Sequence, residues 1–435
     1  MFKMWWEIKG HLEVKNNKLY IGGKSSEYLA KKFGTPLYVL NINRVKENYL
    51  RLYYSLQKYL KRQLVILYSV KANSSLALLR VLKNLGAGVD AVSPFEVFLA
   101  KLSGFDKEEI LFTGTSVSNE DMILIGRKAK INIDSLSQLE RYAKLAKRYG
   151  FDKKISIRVN PEKGAGFISD CITAGKEAKF GIPKKDIFFA FKRALELGLQ
   201  PIGLHQHIGS GILAQDLNIF LKAAEAILNL AGKLKKKFNL EFEFIDLGGG
   251  LGIPYKSSQE VINLEKFGKN LGETIEKIAS KANLGNFDLY LEPGRYIVGD
   301  AEVLLVKVVD VSKKYVNEIG VNAGFNILDR PARYKTYHEI VNASRVKGET
   351  KLYRISGNLC ESGDVFNETK YKLRKLPFIK EGDILAILNA GAYGLTMSSN
   401  YNLRPRPREI MIDKNKVKII RERETFNELI ATQRR

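Results

Sequence analysis

The sequence predicts an α/β protein, a (β/α)8 barrel joined to a second, mostly β domain. Three observations carry this. Short apolar or β-branched runs recur eight times between residues 64 and 294, with mostly helix-patterned segments between them. Chemically capable side chains stand directly after the runs, where the active-site face of a barrel lies. After about residue 300 the helical pattern gives way to strand-like pieces. A chain of 435 residues exceeds what one core usually supports, so two domains are expected, the barrel at 36–300 and the β domain at 1–35 plus 301–435.

The elements follow in order. SSEYLAKKFG (25–34) has a serine cap and a glycine stop and predicts a short helix, after which Pro36 opens the extended LYVLN. The eight runs are LVILYSV (64–70), GVDAVS (88–93), ILFTG (110–114), INIDS (131–135), ISIRVN (155–160), PIGLHQHIG (201–209), FEFIDLGGG (242–250) and DLYLEPG (288–294). Between them, SLALLRVLKNLG (75–86), SQLERYAKLAKRYG (137–150) and NIFLKAAEAILNLAGKLKKK (218–237) have helical periodicity. Lys71, Asp90, Thr113, Asp134, Arg158, His205 with His207, Asp246, and Glu292 with Arg295 stand at the ends of successive runs. The β domain is expected from AEVLLVKVVDV (301–311), TKLYRIS (350–356), DILAILNAGAYG (383–394) and REIMIDKNKVKII (408–420), the last turning at DKNK.

Composition excludes several classes. Hydrophobic content of 45% and charged content of 27% are those of a soluble globular protein. The start, MFKMWWEIKG, lacks a signal-peptide core, and no run approaches the roughly 18 apolar residues of a membrane span, so no membrane partner and a cytoplasmic setting are expected. Two cysteines, Cys171 and Cys360, without a CxxC pair, argue against a disulfide framework and against structural zinc. The net charge of +24 is the outlier, but the lysines are spread over nearly every helical segment with only short clusters such as Lys233 and Lys235 to Lys237. That distribution reads as a solvated basic surface, with no dedicated nucleic-acid partner.

Taken alone, Lys71 in YSVKAN reads as a strand reaching solvent. In a barrel, a lysine at the end of the first strand can also form a Schiff base with a carbonyl, the use that pyridoxal phosphate makes of lysine. Such a cofactor asks for close-approaching backbone N–H groups at its phosphate, which GGG at 248–250 and Gly209 with Ser210 offer, although a triple glycine is more often a plain turn than a phosphate cradle. It asks for an acid at its ring nitrogen, where Glu292 of EPGR stands, and a flat neighbour, for which His207 of HQHIGSG qualifies; a lone histidine is more often a core residue, but two of the chain's four lie here.

YSVKAN, GVDAVSPFE, HQHIGSG, DLGGGLG, EPGRY, CESGDVF and GAYG, followed by SSNYNLRPRP, occur in this order over nearly the whole chain. Together they resemble the diaminopimelate decarboxylase family, within the alanine-racemase-like fold group of pyridoxal phosphate enzymes that also holds ornithine and arginine decarboxylases. CESGD with RPARYKTYH resembles the diaminopimelate branch rather than the ornithine branch. The resemblance implies decarboxylation of meso-2,6-diaminopimelate to L-lysine, the last step of lysine biosynthesis. The alternative is a related decarboxylase acting on ornithine, lysine, arginine or a carboxylated polyamine.

It further implies that Lys71 holds pyridoxal 5'-phosphate covalently, His207 stacks on its ring and Glu292 pairs with the ring nitrogen. Asp90, Ser210, Gly248, Gly249, Gly250, Gly294, Arg295 and Tyr393 complete the cofactor site. Arg295, Arg330, Tyr334, Glu361 and Tyr393 meet the substrate, and Cys360 is the acid that reprotonates Cα. Cys360 and Glu361 are expected to reach into the neighbouring subunit's site, so the active unit is expected to be a homodimer. A carboxylate at the ring nitrogen argues for decarboxylation, since a racemase on this fold prefers the weaker electron sink that an arginine there provides. For Cys360 the bland alternative is a buried inert thiol. The chain departs from the family at Phe167 and Ile168, at Ala178, and at Asp329 and Arg333, where nearby charges bear on which substrate end-group is selected.

Overall fold

The computed structural model describes residues 3–162, 164, 166, 173–369 and 371–433, so Phe167 and Ile168 lie outside the described residues. The chain divides into two compact units, one of residues 48–253 and 260–296 and one of residues 1–47, 254–259 and 297–435.

The first unit is the barrel. Its strands are β1 (Leu64–Ser69), β2 (Gly88–Ala91), β3 (Ile110–Phe112), β4 (Lys130–Ile133), β5 (Lys154–Asn160), β6 (Gln200–His205), β7 (Phe244–Asp246) and β8 (Asp288–Leu291). All pair in parallel in sequence order, and β8 returns to β1 with Leu289 opposite Leu64 and Leu291 opposite Ile66, which closes the sheet. The strands read as continuous apolar runs because both faces are covered, one by the barrel interior and one by helices. Inside, Leu67, Leu111, Phe244 and Tyr290 form one cluster, with the rings of Phe244 and Tyr290 stacked at 4.4 Å. Gly203 of β6 makes room for them: a Cβ there would come within 2.4 Å of the Phe244 ring.

Outside, the helices carry the expected punctuation. Ser135 caps helix Leu136–Tyr149 by accepting from the Gln138 N–H, and Gly150 ends it in the left-handed region at φ 64°. Helix Leu264–Lys281 approaches the 55–59 segment so closely that a Cβ at Gly268 would lie 2.1 Å from the Ser55 carbonyl oxygen and one at Gly272 would lie 2.4 Å from that of Tyr59.

The second unit is built on the long strand Glu302–Lys313, which pairs antiparallel with Leu37–Asn41, Ile384–Ile387 and Asn317–Val321. Leu37–Asn41 pairs in parallel with Arg408–Asp413, and that strand turns through the DKNK segment into Lys416–Arg421. Alternate residues sort to two apolar clusters, Leu37, Val39, Val303 and Leu305 to one and Tyr38, Leu304 and Val306 to the other. Both faces of the sheet are therefore buried where these strands pair.

This corrects the sequence reading of residues 36–41. LYVLN was grouped with the barrel, yet its hydrogen-bonding partners are Glu302–Leu305 and Arg408–Ile412, so the strand belongs to the second unit, as do residues 254–259 and 297–300. In DILAILNAGAYG only Ile384–Ile387 is strand, and RPARY (330–334) forms a short helix.

The helix contact at Gly268 yields a test. Alanine is the better helix former by about 1 kcal/mol, so propensity alone predicts that Gly268→Ala stabilises. Overpacking against the Ser55 carbonyl outweighs it, and a net loss of roughly 1–3 kcal/mol is expected in urea denaturation; an unchanged or raised midpoint would show that the helix can move away at no cost.

Candidate active site

At the mouth of the barrel, β1 ends in a single 3-10 turn, Val70–Ala72, that carries Lys71. The Tyr68 hydroxyl donates to the Asn73 carbonyl oxygen at 3.0 Å and Asn73 Oδ1 accepts from the Ser75 N–H at 3.0 Å, so the small polar residues of the YSVKAN stretch secure the turn. The Lys71 ammonium donates to Asp90 Oδ2 at 2.5 Å. Asp90 is fully buried and also accepts from the hydroxyls of Ser69, at 2.9 Å, and Thr113. Burial pushes the Asp90 carboxyl up, but the Lys71 charge and these hydrogen bonds outweigh it and hold the group below the usual carboxylate range. The structure thus makes Asp90 the counter-ion of Lys71.

A second acid stands beside this pair. Glu96, in the first turn of helix Pro94–Leu102, accepts from the Val92 N–H at 2.7 Å and is pushed up to about 7, by burial first and with the charge of Lys71 opposing. Sequence reasoning missed it, because Ser93 followed three residues later by Glu reads as an ordinary capping box.

On the β8 side, Glu292 is 3% exposed and its Oε1 accepts from His205 Nε2 at 3.2 Å. His207 Nδ1 accepts the Gly249 N–H at 3.0 Å, so that nitrogen carries no proton and the ring is neutral with its hydrogen on Nε2. Burial agrees, lowering the His207 pKa to about 3 against the opposing pull of Glu292. Asp246 Oδ1 accepts from the Gly248 N–H at 2.8 Å. Burial and the neighbouring Glu292 push Asp246 well above the carboxylate range, so Asp246 retains its proton.

The glycines are demanded by close packing. A Cβ at Gly249 would sit 1.9 Å from the Glu292 carbonyl oxygen, one at Gly250 2.3 Å from that of Gly209, and one at Gly294 2.8 Å from Ala72 Cβ beside Lys71. The N–H groups of Gly248 and Gly249 are engaged by Asp246 and His207, which leaves the turn at Gly250 as the member of the triplet suited to a phosphate. Close by in the same unit the buried Arg295 donates from Nη2 to the Ser210 hydroxyl at 3.3 Å. A buried guanidinium, a hydroxyl and a glycine turn fit a phosphate, an exposable lysine fits an imine, and a buried carboxyl pair fits a ring nitrogen, so the residues present suit pyridoxal phosphate.

The remaining candidates lie in the other unit. Arg330 is 1% exposed; its Nε donates to His338 Nε2 at 3.3 Å, and its guanidinium lies 5.2 Å from the centre of the Tyr255 ring. Tyr334 is half-buried, Tyr393 is half-buried with φ 58°, and Cys360 and Glu361 are exposed, which sets aside the buried inert thiol. The two charged departures answer each other, Arg333 pairing with Asp329 at 3.3 Å, and so add no net charge beside Arg330.

Residues 46–299 match the family model described as pyridoxal-dependent decarboxylase, pyridoxal binding domain. The chain is 44% identical over 428 residues to the diaminopimelate decarboxylase of Methanothermobacter thermautotrophicus, covering 98% of this chain and 96% of the relative. It is 38% identical over 424 residues to that of Archaeoglobus fulgidus, covering 96% and 97%. The crystal structure of the Methanocaldococcus jannaschii diaminopimelate decarboxylase in complex with L-lysine superposes with a TM-score of 0.88 at 35% identity, covering 97% of both chains.

The Glu96 carboxyl gives a pH test. Its folded-state value, about 7, is raised above its ordinary 4.5, so the folded protein binds this proton more tightly than the unfolded chain. Stability is therefore lost as pH rises from about 4.5 to about 7, by an amount on the order of 3 kcal/mol at ~1.4 kcal/mol per unit. Glu96→Gln lacks this slope: in cofactor-free protein it should match wild type at pH 4.5 and exceed it by about 1–3 kcal/mol at pH 8 in urea denaturation. Parallel curves for the two proteins would refute the raised carboxyl.

Proposed function

The chain belongs to the pyridoxal-dependent decarboxylases, among the diaminopimelate decarboxylases, and from that membership we propose how its residues divide the work. The reaction is loss of CO2 from meso-2,6-diaminopimelate to give L-lysine, the last step of lysine biosynthesis, with pyridoxal 5'-phosphate as cofactor. When bound, the cofactor supplies a pyridine ring into which the electron pair left by the departing CO2 delocalises.

Lys71 is the covalent anchor, and Asp90 keeps its ammonium at the end of β1 until it is needed. Glu292 holds a proton at the ring nitrogen, backed by the His205 N–H and by Asp246. His207, neutral and fixed by the Gly249 N–H, would stack on the ring without repelling a positive charge on it. Ser210, Gly250 and Arg295, with Tyr393, take the phosphate, while Gly248, Gly249 and Gly294 shape the turns around it. Arg330 meets the distal substrate carboxylate, Tyr334 and Glu361 complete the polar pocket with Arg295 and Tyr393, and Cys360 gives its thiol proton to Cα.

We assign Cys360 and Glu361 to the partner subunit's site in a homodimer; their exposure on a chain whose other assigned residues are largely buried supports this. Among the described residues no helix is long and apolar enough to cross a membrane, and two cysteines suit a reducing compartment, so we place the reaction in the cytoplasm. The single observation that carries the scheme is the pairing of Lys71 with the fully buried Asp90 at the end of the first barrel strand.

Two experiments test it. Borohydride treatment of the purified enzyme should fix a pyridoxyl mass on the peptide containing Lys71; the mass on another lysine would move the anchor. Mixing Lys71→Ala chains with Cys360→Ala chains should restore part of the lysine-forming activity, since a heterodimer contains one site with both native residues. No recovery despite demonstrated chain exchange would mean that each site is built within one chain.

A further inference from the structure

The SSNYNLRPRP stretch takes no role in the scheme above, yet it holds the loop that carries Cys360. That loop, GNLCESGD (357–364), closes on Asp364. The Gly357 N–H donates to the Asp364 carbonyl oxygen at 2.9 Å, the Leu359 N–H to Asp364 Oδ2 at 2.8 Å and the Asp364 N–H to the Glu361 carbonyl oxygen at 3.0 Å. The Phe325 N–H donates to Asp364 Oδ1 at 2.7 Å and ties the loop to its neighbour. The Cys360 peptide is held from outside the loop: its N–H donates to Asn402 Oδ1 at 2.7 Å.

Asn402 is aimed by an unusual backbone. It and Leu403 both adopt left-handed conformations, at φ 54° and φ 57°, which asparagine tolerates and leucine does not favour. Consecutive strained residues persist only where their surroundings over-determine them. Here Asn400 donates to Glu424 Oε2 at 2.6 Å and to the Arg404 carbonyl oxygen at 3.1 Å, and Arg406 pairs with Glu424 at 2.8 Å while donating to the Ser398 hydroxyl at 3.1 Å. The Ser399 N–H donates to the Asn326 carbonyl oxygen at 2.7 Å, and the Tyr401 ring stacks on Phe325 at 5.6 Å. Phe325 is thus gripped by both loops, through its ring by the 398–406 segment and through its N–H by Asp364.

We propose that Asn402 is a positioning residue for the reprotonation step: by fixing the main chain at Cys360 it sets where the thiol stands. The proposal rests on the assignment of Cys360 as the acid. Asn402→Gly separates the two contributions of the residue, since glycine accepts the left-handed backbone freely while deleting the Oδ1 acceptor. Asn402→Asp keeps both.

With cofactor-loaded enzyme, Asn402→Gly should lower kcat by roughly tenfold or more with KM changed less than about twofold, because misplacement of a reacting group costs rate rather than affinity. Asn402→Asp should recover most of the loss, and Cys360→Ala/Asn402→Gly should be no slower than Cys360→Ala alone. In cofactor-free protein, iodoacetamide labelling of Cys360, followed by peptide mass, should change rate by more than about twofold in Asn402→Gly as the loop loosens. If Asn402→Gly does not fold, Asn402→Ser, whose shorter side chain withdraws the acceptor, replaces it with the same expectations. A fully active Cys360→Ala would sink the acid assignment. Impaired Cys360→Ala beside an Asn402→Gly unchanged in kcat and labelling, or losses that multiply in the double variant, would overturn the positioning role and leave the acid assignment standing.

Discussion

A lysine ammonium held against a carboxylate that water does not reach, Lys71 on Asp90, is the arrangement on which the mouth of the barrel depends. Burying a charged carboxylate is expensive, and the pair is stable only because further donors saturate Asp90. Those donors, Ser69 and Thr113, come from β1 and the end of β3, so the strand ends on either side of β2 are registered to one acid. Closure extends the same constraint to β8: the Ser69 hydroxyl also lies 3.0 Å from the Glu292 carbonyl oxygen, and Gly294 has no Cβ because Ala72 and Ser69 occupy its space. The residue meant for the cofactor's carbonyl and the residue meant for its ring nitrogen are thereby coupled through one hydroxyl.

The second charged locus solves a different problem. His205, Asp246 and Glu292 are each less than a twentieth exposed and gather three titratable groups in one place. Two carboxylates side by side out of water would repel strongly, and the upward push on Asp246 by burial and by Glu292 removes the conflict by retaining the proton on Asp246. His207 stays neutral because burial opposes its charging, the cations Lys71 and Arg158 add to that, and the Gly249 N–H occupies its Nδ1 lone pair. The glycine triplet thus contributes to the histidine's protonation as well as to the shape of the turn.

The barrel was legible in sequence because its strands are buried on both faces, each run is short, and helices separate them. The same property misled at LYVLN: a strand buried on both faces in the second sheet carries no alternation to distinguish it, and its partners at Glu302–Leu305 and Arg408–Ile412 are separated from it by more of the chain than any local pattern spans. At the site, residue types standing after strands pointed to Lys71, Asp90, His207 and Glu292. What sequence could not supply was the division of N–H groups among Gly248, Gly249 and Gly250, or the presence of Glu96, whose capping pattern is indistinguishable from a purely structural one. Asn402 was equally hidden: its motif was visible, but the bond to Cys360 crosses 42 positions.

Under the proposed assignment of Arg330 to the substrate, substrate choice turns on how that residue is held. A carbonyl oxygen can only accept, so the 2.9 Å contact with the Leu388 carbonyl puts the proton on His338 Nδ1, which leaves Nε2 to accept from Arg330 Nε and ties the guanidinium's orientation to the sheet backbone. A guanidinium whose orientation is fixed in this way meets a condition for a two-point grip on a carboxylate. The Asp329–Arg333 pair beside it is self-neutralising and adds no net charge there. With Arg330 assigned to the distal carboxylate, an amino acid that ends in an ammonium alone forgoes charge-assisted hydrogen bonds worth about 1.5–3 kcal/mol each and places like charge against a buried cation. On the proposed assignment, selection against ornithine or lysine as substrates needs no dedicated barrier, because the group proposed to bind the second carboxylate also disfavours an ammonium in its place.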